Sequence, residues 1–158
     1  MNLDIYYRIS DKGNPKEKIP QADKFSCIRN IIHEFGSDTI HIIADNCTTE
    51  TVSFIKGLSI SHEETSLGNS GPFIYMISTI IKKHKETDYV YLVEDDYIHL
   101  GGSRSVLEEG LAIADYVIIL INIFWKKTVA IHLTTNVFIQ QEFMQQKTFT
   151  GGKQTQQQ

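Results

Sequence analysis

Apolar and polar positions along residues 1–117 switch repeatedly between a strand-like pattern and a helical one. Leu3 to Ile9, Thr39 to Ala44 and Tyr89 to Val93 are runs rich in branched and aromatic residues. Such runs predict strands, and the unbroken run Tyr89 to Val93 has the composition of a central strand covered on both faces. After the first run comes a polar loop, Ser10 to Pro20. Phe25, Ile28, Ile31, Ile32 and Phe35 then recur at helical spacing, with Gly36 just past the helix end. A second helix is predicted from Thr49 to Lys56, closed by Gly57, and a short third strand from Ser59 to His62. The loop Ser66 to Gly71 leads to a helix with Pro72 in its first turn. That helix buries Phe73, Met76, Ile77 and Ile80 and exits through Lys82, Lys83 and Lys85, a solvated end suited to the macrodipole. A fourth helix is predicted from Ser103 to Ala114, where Ser105 and Glu108 have capping-box spacing. The order β-α-β-α-β-α-β-α predicts an α/β fold: a Rossmann-like, mostly parallel sheet with helices on both faces.

The pattern weakens after Tyr116. Val117 to Trp125 is apolar enough for a further strand, and Lys126 to Thr150 has little periodicity. Gly151 to Gln158 is a polar, low-complexity end expected to be disordered. Eighteen of the nineteen acidic residues precede Val117, whereas eight of the nine glutamines follow it. A shifted reading frame would produce such a change, so residues 118–158 read as an atypical tail, out of frame or disordered.

Composition narrows the function. A chain of 158 residues is one domain's worth. A net charge of −4 without a basic stripe argues against a nucleic-acid partner, whose phosphates need clustered Lys and Arg. The opening residues carry no secretory pattern, and the longest apolar run is far shorter than the about 20 residues that span a bilayer. A cytoplasmic protein without a transmembrane segment is therefore expected. Cys27 and Cys47 lack metal-ligand or disulfide spacing and read as reduced structural thiols.

The chemistry concentrates at Glu94, Asp95 and Asp96, which arrive where the Tyr89–Val93 strand must end. Three adjacent like charges repel one another and are costly to desolvate, so a divalent cation among them accounts for the arrangement. The carboxyl ends of strands are also where open α/β sheets bind ligands. The bland alternative is a solvated turn. A phosphoacceptor receiver domain is excluded, because only 62 residues follow Asp96 and Asp115 is the sole aspartate among them. His99 is kept as a candidate because it lies three residues beyond Asp96.

The segment Tyr89 to His99, YVYLVEDDYIH, resembles the acidic signature of nucleotide-sugar glycosyltransferases of the GT-A fold (family 2-like), as an EDD variant of their DxD motif. Other pieces follow the order of that family: Tyr7 to Asp11 ending the first strand, Ala44-Asp45-Asn46 ending the second, Gly68-Asn69-Ser70-Gly71 before the third helix, and Ser103 to Val117 after the acidic motif. The resemblance spans about residues 3–117. It implies a GT-A domain of the nucleotide-diphospho-sugar transferase type, with residues 1–117 as its donor-binding part. It implies a metal-dependent hexosyltransferase of polysaccharide biosynthesis, with a nucleotide-diphosphate sugar (UDP-sugar foremost) as donor and a saccharide or lipid-linked acceptor. Mn²⁺ or Mg²⁺ would bridge the two phosphates.

By the same resemblance Asp96 is the metal ligand, and Glu94 and Asp95 face the ribose or the metal's water shell. Asp45 and Asn46 reach the base, Arg8, Ser10 and Asp11 line the base and ribose edge, and Asn69 joins the donor side. Each has a second use: Arg8 as a surface ion-pair partner, Asp45-Asn46 as a turn or helix cap, and the Gly68–Gly71 loop as plain turn chemistry. The family draws its catalytic base from the second half of the domain. Beyond Asp115 the only acid here is Glu142, so no catalytic residue is assigned. The expected fold is incomplete at its C-terminus, and the alternative function is a non-catalytic or degenerate nucleotide-binding module lacking the acceptor half.

Overall fold

A computed structural model of the chain describes residues 2–12, 22–120 and 127–132. Most of the Ser10–Pro20 loop, the Gly151–Gln158 end and Glu142 lie outside the described residues. Strand β1 (Leu3–Ser10) leads to helix α1 (Lys24–Phe35), and β2 (Ile40–Asp45) to α2 (Thr49–Gly57). Then follow β3 (Ser61–Thr65), α3 (Gly71–Lys83), β4 (Tyr89–Glu94), α4 (Ser103–Leu111), β5 (Tyr116–Leu120) and β6 (Lys127–His132). The sheet has the order β3-β2-β1-β4-β6-β5. The first four strands are mutually parallel, and β6 runs antiparallel to both β4 and β5.

The long apolar runs sit at the centre of this sheet because both of their faces are covered. Leu3, Ile5, Tyr7 and Ile9 of β1, Ile40, Ile42 and Ala44 of β2, and Tyr91 and Val93 of β4 share one face. They meet Ile28, Ile31 and Phe35 of α1, Ile55 of α2, and Leu107 and Leu111 of α4. Tyr6, Ile43, Val90 and Leu92 emerge on the other face and pack against Met76 and Ile80 of α3. Alternation of side chains along each strand feeds two cores at once.

Helix ends follow local chemistry. Asp23 caps α1, accepting from the Phe25 and Ser26 N–H groups at 2.9 and 3.0 Å. Gly36 ends the helix with φ +82° while its N–H reaches the Ile32 carbonyl. Pro72 occupies the first turn of α3. Three local expectations are corrected. Helix α2 runs through Gly57, and it is Ser59, at φ +56°, that takes the left-handed turn. The third strand lies at Ser61–Thr65 because Ile60 is drawn into the core, leaving a polar edge strand held by backbone pairing to β2. The N-cap of α4 is Gly102, at φ +83°, so Ser105 and Glu108 lie inside the helix, where Glu108 accepts from Arg104 Nε at 3.0 Å. Strand β5 starts at Tyr116 and continues into the apolar run, and β6 lies within the segment of weak periodicity; both join the sheet.

Gly110 shows how closely α4 lies on β5. A Cβ added there would stand 2.7 and 3.0 Å from the two γ-carbons of Val117. Gly110→Ala should therefore destabilise the protein, because overpacking costs roughly 1–3 kcal/mol and outweighs a helix-propensity gain of about 1 kcal/mol. Urea unfolding of Gly110→Ala in a Val117→Ala background should reverse the sign. A stabilising single substitution would contradict the close approach.

Candidate functional site

The carboxyl ends of β1, β2 and β4 lie on one edge of the sheet, with Ser10 in register with Asp45 and Arg8 in register with Glu94. Successive strands step outward from β1 to β2 and β3. Helix α3 then carries the chain back past them to β4, on the far side of β1. Open α/β sheets form their ligand crevice at this kind of reversal. Glu94 ends β4, and Asp95 and Asp96 form the turn that follows.

The turn is tied to β1. Arg8 Nη2 donates to Glu94 Oε1 at 2.8 Å, with side chains 23% and 47% exposed. The Ser10 N–H donates to Asp95 Oδ2 at 3.2 Å. Asp96 is half-buried, and Tyr97 behind it is buried. Beneath the turn the Tyr7 hydroxyl is wholly buried, with no hydrogen-bond partner among the described residues. Burial, with Cys27, Asp95 and Asp96 nearby, pushes its pKa well above the ordinary phenol value, so it remains a proton donor.

At the end of β2 the carboxylate of Asp45 is turned inward. It accepts from the Leu67 and Gly68 N–H groups at 2.6 and 3.1 Å, from Thr65 Oγ1 at 2.8 Å and from Asn46 Nδ2 at 2.8 Å. Burial raises its pKa, but these four bonds outweigh burial and hold it below the usual carboxylate value. Asp45 thus shapes the loop entering α3, where Gly68 and Asn69 both have positive φ and Asn69 is exposed. Asp11 is engaged in the same manner. It accepts from Lys24 Nζ and from the Thr48 N–H at 2.6 Å, and Lys24 also reaches Thr51 Oγ1 at 2.7 Å. Burial works against ionisation of Asp11, yet the bonds from Lys24 and Thr48 win and bring its pKa to about 2. The strand-end residues Arg8, Ser10, Asp11, Asp45, Asn46, Glu94, Asp95 and Asp96 therefore share one edge. Asp45 and Asp11 spend their carboxylates on holding loops.

A cavity of about 420 Å³ opens beside the end of β2 and the start of α2. Lys12, Asn46, Thr48, Thr49, Glu64 and Ser66 give it a polar rim, and Ala44 and Val52 an apolar floor. Cys47 also lines it, its thiol bonded to the Ile9 carbonyl. Burial, then the charge of Asp11, raises the Cys47 pKa to about 12, so the thiol stays protonated.

His99, three residues beyond Asp96, is buried behind the acidic turn. Its side chain lies among Phe35, Tyr91 and Tyr97, and Nε2 meets the Tyr91 hydroxyl at 2.9 Å. Burial lowers its pKa to about 4. Its backbone N–H and carbonyl are both bonded by the side chain of Asn30 in α1, a residue that no sequence pattern marks.

Among the described residues, no three His, Cys, Asp or Glu side chains are grouped as a protein-only metal cage would require. No helix among them is long and apolar enough to cross a membrane. The chain matches no protein-family model and no curated protein sequence.

Two outcomes follow from this geometry. Asp45→Asn turns an amide toward donors and leaves the N–H of Leu67 or Gly68 without its acceptor, so it should cost about 1–3 kcal/mol in denaturant unfolding. An unchanged midpoint would mean that the loop does not depend on this carboxylate. His99 supplies a pH signature of defined sign. Its folded pKa, about 4, lies below the unfolded 6.5, so between these values the unfolded chain holds the extra proton and stability falls as pH drops. Between pH 6.5 and pH 5 the stability lost through this group should be about 1.5 kcal/mol. His99→Gln should flatten the stability–pH curve by that amount, and an unaltered slope would contradict a neutral buried imidazole.

Proposed function

We propose that this edge of the sheet binds the nucleoside diphosphate of a sugar nucleotide, UDP-sugar foremost, with Mn²⁺ or Mg²⁺ at the acidic turn. The domain is of the GT-A type and transfers the sugar to a saccharide or lipid-linked acceptor. The observation that carries this reading is the position of Glu94–Asp96 where the strand order reverses, facing Arg8 and Ser10 of β1.

Further support comes from spacing. The cavity opens at β2, the acidic turn follows β4, and β1 lies between them. Two interstrand spacings separate the two places by roughly 10 Å, a span suited to a ribose and two phosphates. A base would enter the cavity against Ala44 and Val52, with Asn46 and the threonine hydroxyls at its polar edge.

The residues at the turn fit a hard divalent cation. Such ions keep several waters and take one or two carboxylates together with substrate phosphates, so a three-ligand protein cage is not needed. When bound, the ion supplies charge neutralisation for the departing diphosphate. In this reading Asp96 is its ligand. Arg8 lies beside the turn as a fixed positive charge for the phosphates, and Asp95 is held toward β1 by Ser10. Preoriented charge of this kind lowers the barrier because it need not reorganise as the sugar–phosphate bond breaks.

Calorimetry of UDP binding with and without Mn²⁺ tests the assignment. Asp96→Asn preserves shape and removes the charge, so the metal-dependent part of UDP affinity should fall by roughly 2–4 kcal/mol. Lys83→Gln, on the exposed end of α3, should change nothing. Equal Mn²⁺ enhancement in wild type and Asp96→Asn would sink the proposal. Sugar transfer or UDP-sugar hydrolysis by the intact chain would separate an enzyme from a module that only binds nucleotide.

A further inference from the structure

We propose that Asn30 of α1, acting through His99, is a positioning residue that holds the acidic turn in register with β1. The inference rests on the metal-site reading above and adds a residue far from it in sequence. Asn30 grips the backbone of the turn's exit segment from both sides. Its Oδ1 accepts from the His99 N–H at 2.6 Å, and its Nδ2 donates to the His99 carbonyl at 3.0 Å. A side-chain amide that satisfies one residue's N–H and C=O together replaces the pairing a strand neighbour would have supplied.

The imidazole completes the fastening. His99 Nδ1 stands 3.3 Å from Asn30 Oδ1, and Nε2 stands 2.9 Å from the Tyr91 hydroxyl. The neutral tautomer carrying its proton on Nδ1 satisfies both contacts, donating to Asn30 and accepting from Tyr91. Tyr91 belongs to β4 itself, so the imidazole links the strand before the turn to the segment after it. Two more bonds from the same end of α1 continue along the connection. The Gly102 N–H donates to Glu34 Oε2 at 3.1 Å, and Arg104 Nη1 donates to the Phe35 carbonyl at 2.7 Å.

Three adjacent carboxylates would tend to splay apart. Glu94 and Asp95 are drawn to β1 by Arg8 and Ser10, while Asn30 and His99 fix the exit of the turn. Both ends of the turn are thereby tied to covered elements. Outer partners that orient metal-binding groups commonly matter 10–100-fold in metal affinity, and that is the size expected here.

The test measures UDP affinity with and without Mn²⁺ on the full chain, well below the unfolding midpoint. Asn30→Ala should reduce the Mn²⁺-dependent gain by roughly 10–100-fold while leaving metal-free UDP affinity near wild type. Tyr91→Phe, which keeps the ring and removes only the hydroxyl, should reduce the gain by a smaller factor. It serves as the readout if Asn30→Ala does not fold. Ile80→Val, which loosens the opposite core, is the control for general destabilisation and should leave the gain unchanged. Parallel losses with and without Mn²⁺, or an equal loss in Ile80→Val, would reduce Asn30 to a structural role and overturn the proposal. If Asp96→Asn abolishes the gain and both Asn30→Ala and Tyr91→Phe leave it intact, the positioning role falls and the metal site stands. If Asp96→Asn also leaves it intact, both fall.

Discussion

Everything at the candidate site depends on β1 being paired on both sides by parallel strands. Its eight residues are in register with β2 from Ile5 to Ser10 and with β4 from Leu3 to Arg8. Parallel pairing needs long crossover connections, and here those connections are helices that cover the two faces. The same constraint sends three strand ends to one edge. Residues as distant in sequence as Arg8 and Glu94 become neighbours for that reason. The adjacent cores on both faces keep the register from slipping, because a one-residue shift would exchange Tyr7 with Arg8 and bury a charge.

That edge collects more negative than positive charge, and the molecule answers with hydrogen bonds rather than with many cations. Asp45 takes four donors, Asp11 is held by Lys24 and Thr48, and Asp95 takes the Ser10 N–H. Hydrogen bonds to an ionised carboxylate are stronger than those between neutral groups and hold its pKa down. The loops at the top of the sheet are consequently organised around anions. Arg8 is the cation placed directly across from the acidic turn.

Two carboxylates singled out from sequence, Asp11 and Asp45, thus have structural employment. The base-recognition part of the proposal shifts toward what lines the cavity: Asn46, the hydroxyls of Thr48, Thr49 and Ser66, and the exposed Lys12 and Glu64. A carboxylate already saturated by four donors has little left to offer a ligand. It can still matter by fixing the walls.

How much could be read from the chain alone differs by feature. Three of the four parallel strands, and the four helices, are written in the spacing of apolar residues. Burial on one face or two leaves a period that a single sequence carries. The acidic turn is visible because three carboxylates directly follow the unbroken apolar run Tyr89 to Val93. The third strand lies further along the chain than expected because Ser-His-Glu-Glu-Thr is an edge strand, held by backbone bonds that leave no side-chain period. The cap of α4 is Gly102, which acts through a positive φ that sequence spacing does not reveal, whereas Ser105 and Glu108 only have capping-box spacing. The bonds from Asn30 to His99, from Lys24 to Asp11 and from Arg8 to Glu94 join residues with nothing in common until the strands pair. Local sequence determined which elements form and where charge accumulates. Only tertiary structure decided which polar groups meet, because hydrogen bonding depends on distance and direction, and those are set by how the elements pack.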